Sequence, residues 1–367
     1  MIDPRLRVLY LVAVAVGVFF LKDPRLACAL LAAHVVAWLA LGIGVRLLLR
    51  AAWKLWGFVA FVSVSYALTA EDPAIDRWLT VYGHLRINLG GLAVGALMIV
   101  RVYTIVLASR IARTGDERAI ATGLRGLGLP DPIATAIDAV LALVGSGGGG
   151  GGGRGTGGGR NRKAANGEGF LANVRRLARG DVQPILDRIE RQIDRAQSHL
   201  GDSSSQDIAV VVGIALTMLG IKALKVLPSV PFAPGHKLVI LTPLYILAAL
   251  KTRTRAGATL TGTVMGTVAF LLGDGRYGIF EIAKHIAPGI VCDLLVPLTK
   301  RSRSRLVWCL VGGLMGVGRF ATIFVVTLLV QAPSVAWAFL VPGLVVHTSF
   351  GILSGLVSAP LIRMENA

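Results

Sequence analysis

The sequence contains few charged residues for its length. Of its 367 residues, 16% are charged and 54% are hydrophobic, whereas a soluble domain typically has about 25% charged and about 45–50% apolar residues. This shortage of charge excludes an ordinary cytoplasmic enzyme, a disordered protein and a collagen-like fibre. It favours a polytopic membrane protein.

Cysteine is also scarce. Cys28, Cys292 and Cys309 all fall in apolar runs, and none forms a CxxC pair, so the pattern favours small buried side chains over disulfides or a zinc site. The sequence likewise has no Gly-Lys-Ser/Thr phosphate loop and no clear nucleophile–base motif. We therefore expect a chain that is not an enzyme and that holds no metal or other cofactor of its own.

Acidic residues are the minority among the charges, with 20 Asp and Glu against 38 Lys and Arg, a net charge of +18. In a soluble protein this excess would suggest a nucleic-acid partner. Here 14 of the 38 basic residues lie in 110–195, and most others fall on alternate loops between apolar runs, as the positive-inside rule requires. We therefore expect no nucleic-acid partner and place both termini in the cytoplasm.

The apolar runs predict an all-α polytopic membrane protein with about ten transmembrane helices in two bundles. A spanning helix needs about 20 mostly apolar residues, and the first run is interpreted as a retained helix because no small-residue cleavage site follows it. The predicted segments are 8–21, 26–45, 55–70, 87–109, 207–225, 238–250, 256–273, 279–298, 306–331 and 336–361.

A polar insert divides the chain into a bundle at 1–109, a cytoplasmic helical coupling region at 110–205 and a second bundle at 206–367. The insert contains a glycine-rich stretch, 145–159, that is typical of a flexible linker; its few arginines and lack of aromatic residues give little support to RNA binding. An amphipathic helix follows near 182–193. Such a helix can lie on lipid, cover the chain's own core or dock in a partner's groove.

Three short motifs follow one another in the first 200 residues. They are Lys22-Asp23-Pro24-Arg25, Leu124-Arg125-Gly126-Leu127-Gly128-Leu129-Pro130 and Leu177-Ala178-Arg179-Gly180. This half resembles the transmembrane T component of energy-coupling factor transporters, which are ATP-driven uptake systems. The resemblance implies that Ala178, Arg179 and Gly180 sit in the groove of an ATPase subunit. Arg125 and Gly126 are interpreted as a degenerate counterpart for a second ATPase subunit.

The second half, 206–367, resembles a substrate-binding S component of the same transporters. The resemblance depends on the loop 228–237 and on the small-residue run from Ala256 to Gly273. It implies that Ala209 and Gly213, four residues apart, pack the first helix of this half on the T component. Whether segment 207–225 belongs to the first or the second module is left open.

The segment 279–298 carries the polar residues that point to a solute site. Polar groups inside apolar helices are costly and usually face the interior of the bundle. The candidate substrate-binding residues are His236, Asp274, Glu281, Lys284, His285 and Asp293.

The competing interpretation is a satisfied Glu281–Lys284 ion pair, with His347 hydrogen-bonded in the core. A metal site from His236, His285 and Asp274 has the right ligand types but lacks a supporting His spacing. Arg101 and Arg319, within other helices, are expected to snorkel or to pair.

The leading hypothesis is a multi-pass cell-membrane subunit of an energy-coupling factor importer. It would couple two partner ATPases to the uptake of a small solute, either a vitamin-like molecule or a metal ion. The alternatives are an autonomous ion-coupled secondary permease and a membrane scaffold that does not transport.

Overall fold

The structure is a computed structural model that describes residues 3–69, 74–82, 85–116, 119–148, 183–201, 206–223, 238–272, 278–302, 304–330 and 333–365. These residues fold almost entirely into α-helices, which confirms the predicted all-α class. The exception is one two-stranded antiparallel hairpin, which the sequence analysis did not predict.

The first region contains five helices and the hairpin. Their bounds are α1 Pro4–Gly17, α2 Pro24–Ala40, α3 Val45–Lys54, α4 Trp56–Leu68, β1 Trp78–Tyr82, β2 Leu85–Asn88 and α5 Leu89–Ala112. The middle region contains α6 Ala119–Gly126, α7 Asp131–Gly148 and α8 Gln183–Leu200. The last region contains α9 Gln206–Ala223, α10 Leu238–Lys251, α11 Gly257–Leu271, α12 Phe280–Thr299, α13 Arg305–Val330, α14 Pro333–Ala338 and α15 Leu340–Glu365.

The first two helices begin with the same three residues, Asp-Pro-Arg. In each case the aspartate accepts a hydrogen bond of 2.8 Å from the backbone N–H two residues later, Asp3 from Arg5 and Asp23 from Arg25. Proline fits the next position because its fixed φ suits a helix and the first N–H has no helical acceptor. The sequence thus sets both helix starts locally.

Four of the described helices are long and apolar enough to cross a membrane: Leu89–Ala112, Phe280–Thr299, Arg305–Leu329 and Leu340–Ala359. A fifth span results if α3 and α4, bent by 45°, are taken together. The other apolar helices, such as the 14-residue α10 and the 15-residue α11, reach about 21–23 Å at 1.5 Å per residue. A bilayer core is about 30 Å thick, so length alone does not support ten spans.

The helices of spanning length expose apolar side chains and bury polar ones. On α12, Ile290, Leu294 and Leu298 are 45%, 66% and 81% exposed, whereas Glu281 and His285 of the same helix are 1% and 0% exposed. A water-soluble helix has the reverse arrangement. This distribution is typical of helices surrounded by lipid.

A hydrogen bond between α5 and α11 bears on the prediction that successive loops lie on alternate faces of the membrane. The hydroxyl of Ser109, at the end of α5, donates a 2.5 Å hydrogen bond to the carbonyl of Leu271, at the end of α11. The alternation places these two segment ends on opposite faces of the bilayer, and this contact does not support that assignment. The physical reason is the length of α11, which is too short to carry its end across a full bilayer.

Glycine pairs lie where helices of the second region cross. Gly262, Gly266 and Gly289 lie between the antiparallel α11 and α12, and Gly312, Gly316, Gly351 and Gly355 lie between α13 and α15. A Cβ atom at Gly266 would be 2.7 Å from the Cα of Ile282, which real side chains do not tolerate. The small-residue spacing in the sequence therefore marks close backbone contacts.

We predict that Gly266→Leu destabilises the protein by about 1–3 kcal/mol, the usual cost of overpacking, because the new side chain collides with the backbone of α12. The matched control is Gly220→Leu, since a Cβ there meets nothing within 4 Å. Thermal unfolding in detergent measures both variants. Equal midpoints for the two would contradict a close helix crossing at Gly266.

Candidate functional site

Three candidate residues lie together on the first two turns of α12. The Nζ atom of Lys284 is 2.5 Å from Oε1 of Glu281, and Nε2 of His285 is 3.5 Å from the same oxygen. The side chains of Glu281 and His285 are buried, and that of Lys284 is 12% exposed. Spacings of three and four residues put the three side chains on one helix face.

Tyr245 of α10 holds His285 from a second helix. Its hydroxyl lies 2.9 Å from Nδ1 of His285 and donates to the His285 carbonyl at 3.1 Å. Tyr245 is fully buried, and these two contacts fix the orientation of the imidazole ring. The sequence analysis missed this residue, because a single hydroxyl in an apolar helix gives no periodic signal.

Two further cationic or titratable residues reach this level of the bundle, Arg319 from α13 and His347 from α15. Arg319 is 6% exposed and His347 is 1% exposed. Gly318, next to Arg319, lies against Val291 of α12, and the ring centroid of Phe320, on the other side of Arg319, is 5.4 Å from that of His347. The residues that we call the buried polar cluster are therefore Tyr245, Glu281, Lys284, His285, Arg319 and His347.

Arg319, which the sequence analysis expected to snorkel or to pair, is buried in the bundle. Its Nε and Nη1 atoms are buried, and they find no hydrogen-bond partner in the part of the chain that the structure describes. Because α13 is apolar on every side, its sequence gave no indication that residue 319 faces inward. Arg101 behaves differently, since its Nη2 donates a 2.7 Å hydrogen bond to the carbonyl of Leu21.

Asp293 does not join the cluster. Its two carboxylate oxygens accept the backbone N–H groups of Ala258 at 3.0 Å and Thr259 at 2.7 Å, which are among the unpaired donors at the start of α11. Asp293 is twelve residues from Glu281, about 18 Å along the helix. The structure thus gives Asp293 a capping role from a neighbouring helix.

The remaining solute-site candidates, His236 and Asp274, lie outside the described residues. The same is true of Ala178, Arg179 and Gly180. These assignments stay predictions. Among the described residues, no group of three His, Cys, Asp or Glu side chains is placed to hold a metal ion.

Arg125 and Gly126 lie at the end of α6. The Nε atom of Arg125 is 2.9 Å from Oδ1 of Asp131, and its Nη2 atom is 3.1 Å from the hydroxyl of Thr135, both on α7. Arg125 remains about half exposed. Gly126 lies close to the side chain of Arg5, so this end of α6 packs against the start of α1.

Ala209 and Gly213 pack α9 against the coupling region of the same chain. Ala209 is fully buried, and a Cβ atom at Gly213 would lie 2.7 Å from the Cα of Ile193 in α8. The apolar side chains Leu186 and Ile189 of α8 are buried in the same core. Of the three roles open to the amphipathic helix, the described residues show the covering of the chain's own core.

Comparisons of the chain with protein-family models, with curated proteins and with solved structures give no match. The site is therefore interpreted from its own geometry.

We predict that Glu281→Gln lowers the free energy of unfolding by about 3 kcal/mol, because it leaves the ammonium group of Lys284 in a largely buried site without its carboxylate. The double variant Glu281→Gln, Lys284→Met removes both charges and should recover most of this loss. Chemical or thermal unfolding in detergent measures the coupling. Additive effects of the two substitutions would contradict a coupled pair.

We predict that Asp293→Ala lowers stability by about 1–2 kcal/mol through loss of the cap on α11. Asp293→Asn is the matched control, since its amide oxygen still accepts one of the two N–H groups. Thermal unfolding in detergent measures both variants and the unmodified protein. An unchanged midpoint in Asp293→Ala would contradict the capping role.

Proposed function

We propose that this chain is the membrane subunit of an ATP-driven importer of the energy-coupling factor type, in which a T-like half and an S-like half are fused. It works in the cell membrane. Two ATPase subunits bind the region 110–205, and the solute binds within 206–367. The chain itself carries out no covalent chemistry.

The observation that carries the proposal is the buried polar cluster inside helices with an apolar exterior. Six polar or charged side chains from four different helices are buried or largely buried in the second half, although each costs free energy to remove from water. Polar groups at such positions in membrane proteins usually mark a solute or ion pathway. The separate first half and the order of its motifs favour an importer built from two modules.

The proposal also extends the number of membrane segments to about ten. The four shorter apolar helices, Pro24–Ala40, Gln206–Ile221, Leu238–Lys251 and Gly257–Leu271, pack beside helices of spanning length. With α1, the bent pair and the four long helices, they give ten membrane-embedded segments, of which α11 does not carry its end to the face opposite Ser109. A short hydrophobic helix is accommodated by local thinning of the bilayer and by its protein neighbours.

Contacts between the middle region and the second half support coupling. Helix α8 packs along α9 through Ile193 and Gly213, and α7 contacts both α9 and α11. The hydrogen bond from Ser109 to Leu271 connects the end of the first half to α11 directly. A displacement of the coupling helices by an ATPase would therefore reach the helices that surround the cluster.

The cluster is less suited to an ion-driven permease. A proton carrier needs a carboxylate that is free to take up and release a proton, whereas Glu281 lies in an ion pair with Lys284, 2.5 Å away. This ion pair favours the ATP-driven mechanism over the permease.

We predict that the affinity-tagged chain retains a pair of ATPase subunits on purification and that Arg179→Glu releases them, because the reversed charge no longer fits an acidic groove. Arg154→Glu, in the glycine-rich stretch, is the charge-matched control and should keep the ATPases. Mass spectrometry of the purified complexes measures the outcome. Retention by Arg179→Glu, or absence of any ATPase from the unmodified chain, would contradict the proposal.

A further inference from the structure

The guanidinium group of Arg319 is a buried charge without a counter-ion among the described residues. Its side chain is 6% exposed, and neither Nε nor Nη1 has a hydrogen-bond partner there. Arginine stays protonated in proteins, so this site cannot remove its charge by losing a proton. A buried charge of this kind requires a partner.

The charges around Arg319 leave an excess of one positive charge in the buried polar cluster. Glu281 is the only carboxylate of the cluster, and Lys284 and His285 already contact it. Asp293 is engaged at the start of α11. Two cations, Lys284 and Arg319, therefore face one anion, before any charge on the histidines is counted.

The depth of Arg319 excludes the simplest structural explanation. Arg319 is eleven residues from Val330 and fourteen from Arg305, the two ends of its helix, or about 16 Å and about 21 Å along the axis. A side chain at such a depth does not reach the polar interface by snorkelling. The exposed fraction of Arg319, 6%, agrees with an inward position of its side chain.

His347 adds a second open polar atom beside Arg319. Its Nδ1 atom donates a 2.8 Å hydrogen bond to the carbonyl of Gly343, which fixes the ring, and its buried Nε2 atom has no hydrogen-bond partner in the described ranges. The ring centroid of Phe320 lies 5.4 Å from that of His347. Phe324 and Trp337 extend this aromatic row.

We propose that the buried polar cluster binds an organic carboxylate, whose negative charge pairs with Arg319 and whose apolar body lies against the aromatic row that begins at Phe320. The Nε and Nη1 atoms are both buried donors without a partner among the described residues, and each can give a charge-assisted hydrogen bond to a carboxylate oxygen. This inference rests on the proposed transport function, because it names the chemical class of the solute.

Benzoate is the probe, because it combines a carboxylate with an aromatic ring, and benzamide is its neutral isostere. The full chain is placed in lipid nanodiscs without ATPases, and thermal unfolding is followed as either compound is titrated. We expect benzoate to raise the midpoint and benzamide to leave it unchanged. Equal effects of the two compounds, or no effect of benzoate, would overturn the proposal.

Arg319→Gln tests the contact itself. It should weaken benzoate binding by about tenfold or more, the usual effect of losing a charge-assisted hydrogen bond, while the midpoint without benzoate stays the same or rises because an unpaired buried charge is removed. Arg319→Lys keeps the charge without the planar fork, so its benzoate affinity should be intermediate. Arg101→Gln is the control, since Arg101 is also a partly buried arginine in a spanning helix.

Unchanged benzoate affinity in Arg319→Gln would overturn the assignment of Arg319. A lower midpoint without benzoate would also count against it, because that result is expected of an arginine whose role is only structural. The test does not depend on the ATPases. Arginine-dependent benzoate binding together with failure to purify ATPases would leave the carboxylate site in place and remove the importer mechanism.

Discussion

A charged or polar side chain inside an apolar bundle must find its partner within the protein, because no water is present to solvate it. The ion pair between Glu281 and Lys284 meets this requirement inside α12. Tyr245 meets it for His285 from a neighbouring helix. The relative placement of the central helices of the second half depends on these contacts. Arg319 and Nε2 of His347 are groups of the cluster whose requirement the described residues leave unmet.

The close helix crossings make this arrangement possible. Gly262 faces the backbone of His285, and Gly316 faces the backbone of His347, so two residues of the cluster lie directly at glycine contacts. Without a Cβ at these positions, the helix axes approach closely enough for side chains from four helices to meet. The same geometry leaves little room for relaxation, so a larger residue at a crossing would displace the polar groups as well.

The contacts of α8 connect the middle region to the second half. Its apolar face covers α9 near Gly213, and its outer face is charged. A partner that binds this outer face would act on α9 without entering the bundle. The end of α11 is joined to α5 by Ser109, so a movement in the first half can reach α11, whose start is capped by Asp293 of α12.

The sequence by itself determined the helices and their polarity. Each of the ten apolar runs is helical over most of its length, because hydrophobic runs and local signals such as Asp3-Pro4 act over short distances. The run 336–361 is divided between α14 and α15, and the helix of the run 26–45 ends at Ala40. The sequence also determined that Glu281, Lys284 and His285 share a face. Only the tertiary structure decided which residues from other helices complete the cluster. Tyr245 and Arg319 sit in helices that are apolar all round, so their inward orientation follows from the packing of neighbouring helices. For the same reason Asp293, a polar residue of α12 like Glu281, became a cap for α11 and not part of the cluster.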